Sequence, residues 1–177
     1  MTANSDLEIR DGTPTDRAAI LTLYPRAFPD EDLRALVTAL LDEDRGIVSL
    51  VAATGGNVLG HAIFTVCGLE GSGHRVALLG PLCVDPGRQR QGIGGALIGA
   101  GLARLQSAGA AQICVLGDPA YYGKFGFKPE SRIDPPYPLP KEWRGAWQSR
   151  SLTGDMDLSM GRMAVPTPWR DPALWAP

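Results

Sequence analysis

The chain is 177 residues long, 44% hydrophobic and 20% charged, with a net charge of -2; it is long enough for one well-buried core, and its composition excludes a disordered or fibrous protein. No overall basic field draws it onto nucleic acid or an acidic membrane, and no uncharged apolar run approaches the length of a membrane span. The first residues, "MTANSDLEIRDG", are polar and lack an apolar signal core, so one domain over residues 1–177, located in the cytoplasm, is expected.

In chain order, Leu7–Arg10 reads as a short strand. "TPTDRAAILTLYPRAF" then opens a helix with Thr13 and Pro14, its apolar residues Ile20, Leu23, Tyr24 and Phe28 recurring at helical spacing until Pro25 interrupts the pattern. A second helix is expected from an N-cap at Asp30, with Leu33, Leu36, Val37, Leu40 and Leu41 on one face and the acidic "DEDRG" at its end. The period then changes. "IVSLVAAT" and "VLGHAIFTVCG" are β-rich runs joined by "GGN", a tight-turn composition, and "EGSGH" leads into a third run, Arg75–Val84. Three consecutive antiparallel strands are predicted.

After "DPGRQRQGIGGALIGAG", Ile93, Leu97, Ile98, Leu102 and Leu105 form a helix face that stops near Gly109, a suitable cap. "AQICVLG" follows as a buried strand, so a right-handed parallel crossover links Ala77–Val84 with Ala111–Gly117. Asp118 and Pro119 start a short helix, and a turn at Gly126 leads to a strand containing Phe127. "RIDPPYPLP" is irregular, "DMDLSMGRMAVP" is expected to hold a final strand, and "TPWRDPALWAP" reads as a surface tail. The fold class is therefore α/β (α+β), with a mixed, largely antiparallel sheet and flanking helices. Cys67, Cys83 and Cys114 are widely spaced in apolar segments and accompany only two histidines, the pattern of buried reduced thiols and not of a metal site or disulfide framework.

The glycine cluster carries the chemistry. Backbone N–H groups at the start of a helix lack intrahelical partners and, with the helix dipole, form an anion site that glycine leaves open to a bulky phosphate. Gln89, Arg90, Gln91, Gly92, Ile93, Gly94 and Gly95 supply such donors, with Arg88 and Arg90 adding charge. The alternative is tight helix packing with solvated arginines, a role assigned to the later Gly99 and Gly101. A P-loop is excluded because Ala96 and Leu97 stand where Lys and Ser or Thr are required, and a dinucleotide fingerprint lacks its third glycine.

These residues resemble the GNAT superfamily of N-acetyltransferases. Gln89, Gly92 and Gly94 match the acetyl-CoA pyrophosphate motif Q/R-x-x-G-x-G/A, and Tyr122, Gly126 and Phe127 match a second signature, a tyrosine four residues before Gly-Phe. "LGDPAYYGKFGF" is similar to a bacterial subgroup of predicted N-acetyltransferases. The resemblance spans Leu7 to about Pro129, with a motif core at residues 75–129, and leaves the extension 130–177 without a role. It implies an acyl-CoA N-acyltransferase-like sheet with a parallel strand pair that splays, acetyl-CoA as cosubstrate, no metal, and a homodimer. It further implies that Leu82, Cys83 and Val84 pair with pantetheine and polarise the acetyl carbonyl.

Acetyl transfer needs a neutral amine, a stabilised oxyanion and a proton for the leaving thiolate. Tyr122 is the expected general acid, while Tyr121 and Phe125 are expected to pack around it. No carboxylate occurs in Arg75–Gly80, so the base stays open among His61, Glu70, His74 and a water. Glu31, Asp32 and Asp42–Asp44 read either as a draw for a cationic amine or as the wet face of a helix, and Trp143 and Trp147 either as a pocket lining or as packing of the tail. The acceptor is a primary amine of a small molecule or a protein. The missing carboxylate keeps a second reading open, a non-catalytic acyl-CoA-binding sensor.

Overall fold

The computed structural model describes residues 6–154 and 160–177. Its strands are β1 (Glu8–Asp11), β2 (Ile47–Thr54), β3 (Asn57–Leu69), β4 (Ser72–Val84), β5 (Gln112–Leu116), β6 (Lys128–Pro129), β7 (Ile133–Asp134), β8 (Trp147–Ser151) and β9 (Gly161–Ala164). The helices are α1 (Arg17–Ala27), α2 (Arg34–Leu41), α3 (Ile93–Ser107) and α4 (Pro119–Tyr122). Hydrogen-bonded neighbours follow the order β1-β2-β3-β4-β5-β8-β6, and β9 adds to β3 and β7. The mixed sheet with a parallel β4–β5 pair is as predicted. A second parallel pair, β7–β9, consists of two residues on each side. The chain forms two compact units, Met1–Phe64 with Pro81–Gly101 and Thr65–Gly80 with Leu102–Pro177.

In the first unit, β1 lies antiparallel to β2 from Glu8↔Ala53 to Asp11↔Leu50. The chain then turns into α1 through a capping box: the Asp16 carboxylate accepts from the Thr13 backbone N–H at 2.8 Å and hydroxyl at 3.1 Å. Arg10 reaches the same carboxylate with both terminal nitrogens, at 2.7 and 3.0 Å. α1 runs through Pro25 to Ala27, contrary to the expected interruption. Ile20, Leu23 and Tyr24 bury one face of it, and proline in the last turn removes only one ladder bond. α2 starts at Arg34, four residues beyond the predicted cap, because Asp32 bonds the Arg34 N–H and guanidinium instead. Between β2 and β3, Gly55 and Gly56 at φ +55° and +85° form the predicted hairpin turn.

α3 approaches β3 at two glycines. A Cβ on Gly60 would come within 3.0 Å of Ile93 and 3.1 Å of Leu97, and one on Gly101 would run into the ring of Phe64. Gly101 therefore packs as predicted. Gly99 does not: it is exposed, with nothing near its Cβ position.

In the second unit, Val76–Leu79 pair with Gln112–Val115 in parallel register, and β5 pairs along its whole length with β8. The predicted surface tail instead enters the core. Trp169 is 8% exposed and Trp175 2%, and each satisfies its indole N–H, Trp169 on Thr65 Oγ1 at 3.2 Å and Trp175 on the Trp169 carbonyl at 3.1 Å. Trp147 and Trp169 both pack against the Trp175 ring at 5.9 Å. The expected final strand occurs as β9; residues 155–159 of that segment lie outside the described residues. All three cysteines are buried and outside any disulfide.

Candidate functional site

The end of β4 and the loop after it form one continuous structure in the first unit. Leu82 and Val84 are half-buried and Cys83 is 2% exposed. Pro81 offers no N–H, so the strand loses a ladder donor here, and Gly80 just before it has a φ of +148°. The Asp85 N–H donates to the Leu59 carbonyl at 2.7 Å, and its carboxylate accepts from Gly87 N–H at 2.9 Å and from Arg26 at 3.0 Å. A short 3-10 turn, Pro86–Arg88, follows.

Gln89, Arg90, Gln91 and Gly92 are exposed, while Ile93 and Gly94 are buried and Gly95 half-buried. Gln89 Nε2 donates to the Val84 carbonyl at 3.4 Å, tying the loop back to the strand end. Arg88 Nε donates to Gln91 Oε1 at 3.1 Å. Arg90, at φ +63°, is the sole non-glycine with positive φ among the described residues, and Gly92 follows at φ +83°. A left-handed side-chain-bearing residue costs about 1–2 kcal/mol, and such strain persists where the surroundings impose it. The α3 ladder opens with Ala96 N–H to the Gly92 carbonyl at 3.0 Å, leaving the Ile93, Gly94 and Gly95 N–H groups without an intrahelical acceptor. The loop is thus shaped as an anion nest feeding a helix N-terminus. The burial of Ile93 and Leu97 over Gly60 fixes where that terminus starts. Sequence reading missed Gly60, whose only signal is an unexplained glycine inside a β pattern.

His61 lies in the same unit and is fully buried. Its Nδ1 is 2.8 Å from the Tyr24 hydroxyl and its Nε2 2.8 Å from Ser49 Oγ. Burial drives its pKa down to about 3, against a weaker opposite pull from Asp16, so the imidazole is neutral at physiological pH. A conjugate acid that strong makes a poor proton acceptor from an amine. Glu70 and His74 are exposed. Burial pushes the Cys83 thiol up to about 12, which leaves it protonated and weakly nucleophilic.

In the second unit, the Asp118 side chain accepts from Ala120 N–H at 2.9 Å and Pro119 occupies the first helical position, as predicted for α4. Gly126 sits at φ +85° and its N–H bonds the Gly123 carbonyl. The Tyr122 ring meets Tyr121 and Phe127 edge-on at 5.0 and 5.7 Å, and Phe125 packs on Tyr121 at 5.3 Å. A Cβ on Gly117 would strike the Tyr122 ring, so glycine is required beneath it. The ring is clamped, yet its hydroxyl has no hydrogen-bond partner among the described residues. Burial raises the Tyr122 pKa above its ordinary value, which keeps the phenol protonated throughout the neutral range.

Of the acidic candidates, Asp32 pairs with Arg34 at 3.2 Å and Asp42 with Arg17 at 2.7 Å. The second unit also holds a cavity of about 540 Å³ lined by Trp147, Tyr137, Asp134, Arg144 and Arg162 among others, so Trp147 both lines a cavity and packs on the tail. Among the described residues, no group of three or more His, Cys, Asp or Glu side chains could hold a metal ion, and no helix is long and apolar enough to cross a membrane.

The family model described as "Acetyltransferase (GNAT) family" matches residues 17–127. The chain is 32% identical over 167 residues to the uncharacterized N-acetyltransferase YjhQ of Escherichia coli K12, covering 90% of this chain and 92% of the relative. The crystal structure of the GNAT family N-acetyltransferase YhbS from Escherichia coli in complex with CoA superposes with a TM-score of 0.85 at 27% identity, covering 94% of this chain and 93% of that one. A GNAT family acetyltransferase from Brucella melitensis in complex with acetyl-CoA gives a TM-score of 0.75 at 33% identity, covering 92% and 97%.

Proposed function

The chain belongs to the acetyltransferase (GNAT) family, and on that premise we propose which of its residues transfer the acetyl group of acetyl-CoA to an amine. The Arg90–Gly95 loop carries the reading: two left-handed residues followed by a helix start with free N–H groups match the demands of a pyrophosphate. Gln89, Arg90, Gln91, Gly92, Ile93, Gly94 and Gly95 hold that group mainly through backbone N–H donors, with Arg90 adding charge. Leu82, Cys83 and Val84 supply the backbone for pantetheine and for the acetyl oxygen.

The amine nitrogen attacks the thioester carbonyl carbon, the C–S bond breaks, and an amide and the CoA thiol are the products. Tyr122 donates a hydrogen bond and then its proton to the departing sulfur, a role supported by its unpartnered hydroxyl and its raised pKa. The proton leaving the amine passes to water, because His61 is too weak a base and Glu70, in the turn before β4, and His74, near the start of β4, are exposed. Cys83 forms no acyl intermediate, since its thiol is held protonated. The acceptor is a primary amine of a small molecule or a protein, and the whole chain, residues 1–177, acts as one domain, in a cytoplasmic homodimer.

Free-thiol release from acetyl-CoA against polyamines, aminoglycosides, amino acids and basic peptides tests the reading. CoA binding without thiol release from any amine would favour the acyl-CoA sensor instead. Tyr122→Phe should bind CoA normally and lose rate on the order of 100-fold; unchanged turnover removes Tyr122 from the mechanism.

A further inference from the structure

Tyr24 and His61 are deeply buried polar groups that the reaction steps above do not use. Tyr24 is 1% exposed and His61 0%, and burying polar groups is costly unless each one is bonded. Here each is. The Tyr24 hydroxyl lies 2.8 Å from His61 Nδ1 and 3.4 Å from the Pro81 carbonyl oxygen, and His61 Nε2 lies 2.8 Å from Ser49 Oγ. Burial raises the pKa of the neighbouring Cys83 thiol, against weaker opposite pulls from the Tyr24 hydroxyl and the His61 backbone. These five residues belong to the first unit and come from α1, β2, β3 and the end of β4.

The hydrogens can be placed by counting. Burial keeps His61 neutral, so its ring has one donor and one acceptor. If Tyr24 donates to Nδ1, then Nε2–H donates to Ser49 and the Tyr24 hydroxyl has no proton left for the Pro81 carbonyl 3.4 Å away. The reverse arrangement satisfies every contact: Ser49 Oγ–H donates to Nε2, Nδ1–H donates to the Tyr24 oxygen, and Tyr24 Oη–H donates to the Pro81 carbonyl. All three bonds then point toward β4, at the segment where proline has removed a strand donor.

We infer that Tyr24 and His61 are positioning residues for the Pro81–Val84 segment, holding its backbone in the one geometry that grips the thioester carbonyl. The inference rests on the acetyl-transfer reading above. α1 holds the same region a second time through Arg26 on Asp85 at 3.0 Å, so the helix fixes both the strand end and the start of the nest. Misplacing a bound reactant by about 1 Å can cost on the order of 100-fold in rate, and removing one hydroxyl that sets a backbone position should cost part of that.

The test compares Tyr24→Phe with wild type in acetyl-CoA turnover and in equilibrium binding of acetyl-CoA and of CoA. Expected are a kcat lowered about 10-fold, a Kd for CoA within about twofold of wild type, and an affinity for acetyl-CoA that falls to that for CoA. His61→Asn, which keeps an N–H near the Nδ1 position, should retain most of the activity that His61→Leu loses. The deficits should be equal at pH 6.5 and 8.5, since a neutral imidazole that only positions does not titrate there. A wild-type kcat in Tyr24→Phe, or equal losses in His61→Asn and His61→Leu, overturns the inference. Should Tyr24→Phe fail to fold, Ser49→Ala cuts the chain at its half-exposed end and should lower kcat about threefold; no change there is equally fatal. If wild type acetylates no amine, the functional reading fails by itself. The inference is then decided by binding: the wild type must hold acetyl-CoA more tightly than CoA, and Tyr24→Phe or Ser49→Ala must abolish that difference.

Discussion

Two glycines of α3, two residues apart, should respond to alanine with opposite signs. Helix propensity favours alanine over glycine by about 1 kcal/mol at either position. At Gly99 nothing lies near the added methyl, so Gly99→Ala should gain that amount, a rise in Tm of about 2–4 °C for a chain of this size. At Gly101 the methyl would enter the ring of Phe64, overlapping its Cζ, Cε1 and Cε2, far inside the about 3.5–4.0 Å at which carbon atoms rest. Phe64 is completely buried and has no open direction to move. Overpacking of this kind costs about 1–3 kcal/mol, which outweighs the propensity gain and leaves a net loss of up to about 2 kcal/mol, or about 4–8 °C. Thermal and urea melts of both variants measure the effect, and Phe64→Leu in the Gly101→Ala background should recover part of the loss by relieving the overlap. Because α3 carries the nest at its start, only Gly101→Ala should also weaken CoA binding. Equal stabilisation by both substitutions would refute the seating of α3 on β3.

Gly92→Val meets no neighbour, but its φ of +83° costs a side-chain-bearing residue about 1–2 kcal/mol; if CoA binding must restore that conformation, its Kd should rise about 5–30-fold by calorimetry, and an unchanged Kd would undo the pyrophosphate assignment. Asp16 is held below the usual carboxylate range, first by its bond to Arg10 and then by Thr13, so its stabilisation is complete above its unfolded pKa of about 3.9 and fades as pH falls below that. Asp16→Asn should therefore be less stable than wild type by about 2 kcal/mol at pH 7, with a gap that narrows between pH 5 and 3 in chemical melts; a constant gap refutes the charge argument. Burial pushes Cys67 and Cys83 up to about 12, so a disulfide reagent at pH 8 should leave both unreacted until urea unfolds the chain. Rapid labelling of the native protein would contradict that.

What could be read in advance was local. Gly55–Gly56 between two β-rich runs, Thr13–Pro14 at the entry to the first helix, Asp118–Pro119 before α4 and Gly109 after α3 each act within four residues of themselves, and each occurs where expected. The glycine-rich entry to α3, proposed as the pyrophosphate site, is a local feature of the same kind, since its donors are consecutive backbone groups. The late start of α2 was also a local competition, between Asp30 as a cap and Asp32 as a partner for Arg34, and composition gave no means of weighing the two.

Other features depend on residues that meet only after folding. Gly60 and Gly101 look like defects in a strand and a helix until Ile93 and Phe64 are placed opposite them. His61 is a candidate base only because Arg75–Gly80 holds no carboxylate, and its contacts with Tyr24, 37 residues away, and Ser49, 12 residues away, reveal it as a bonded core group. The tail is the sharpest case. Proline and charge around Trp169 and Trp175 conceal any period, and the buried destination of Trp169 is a hydroxyl 104 residues earlier, at Thr65. A tryptophan buries a large apolar area only if its N–H also finds an acceptor. A sequence shows the area to be buried, but the acceptor belongs to the fold, and it is the acceptor that decides whether such a tail stays in water.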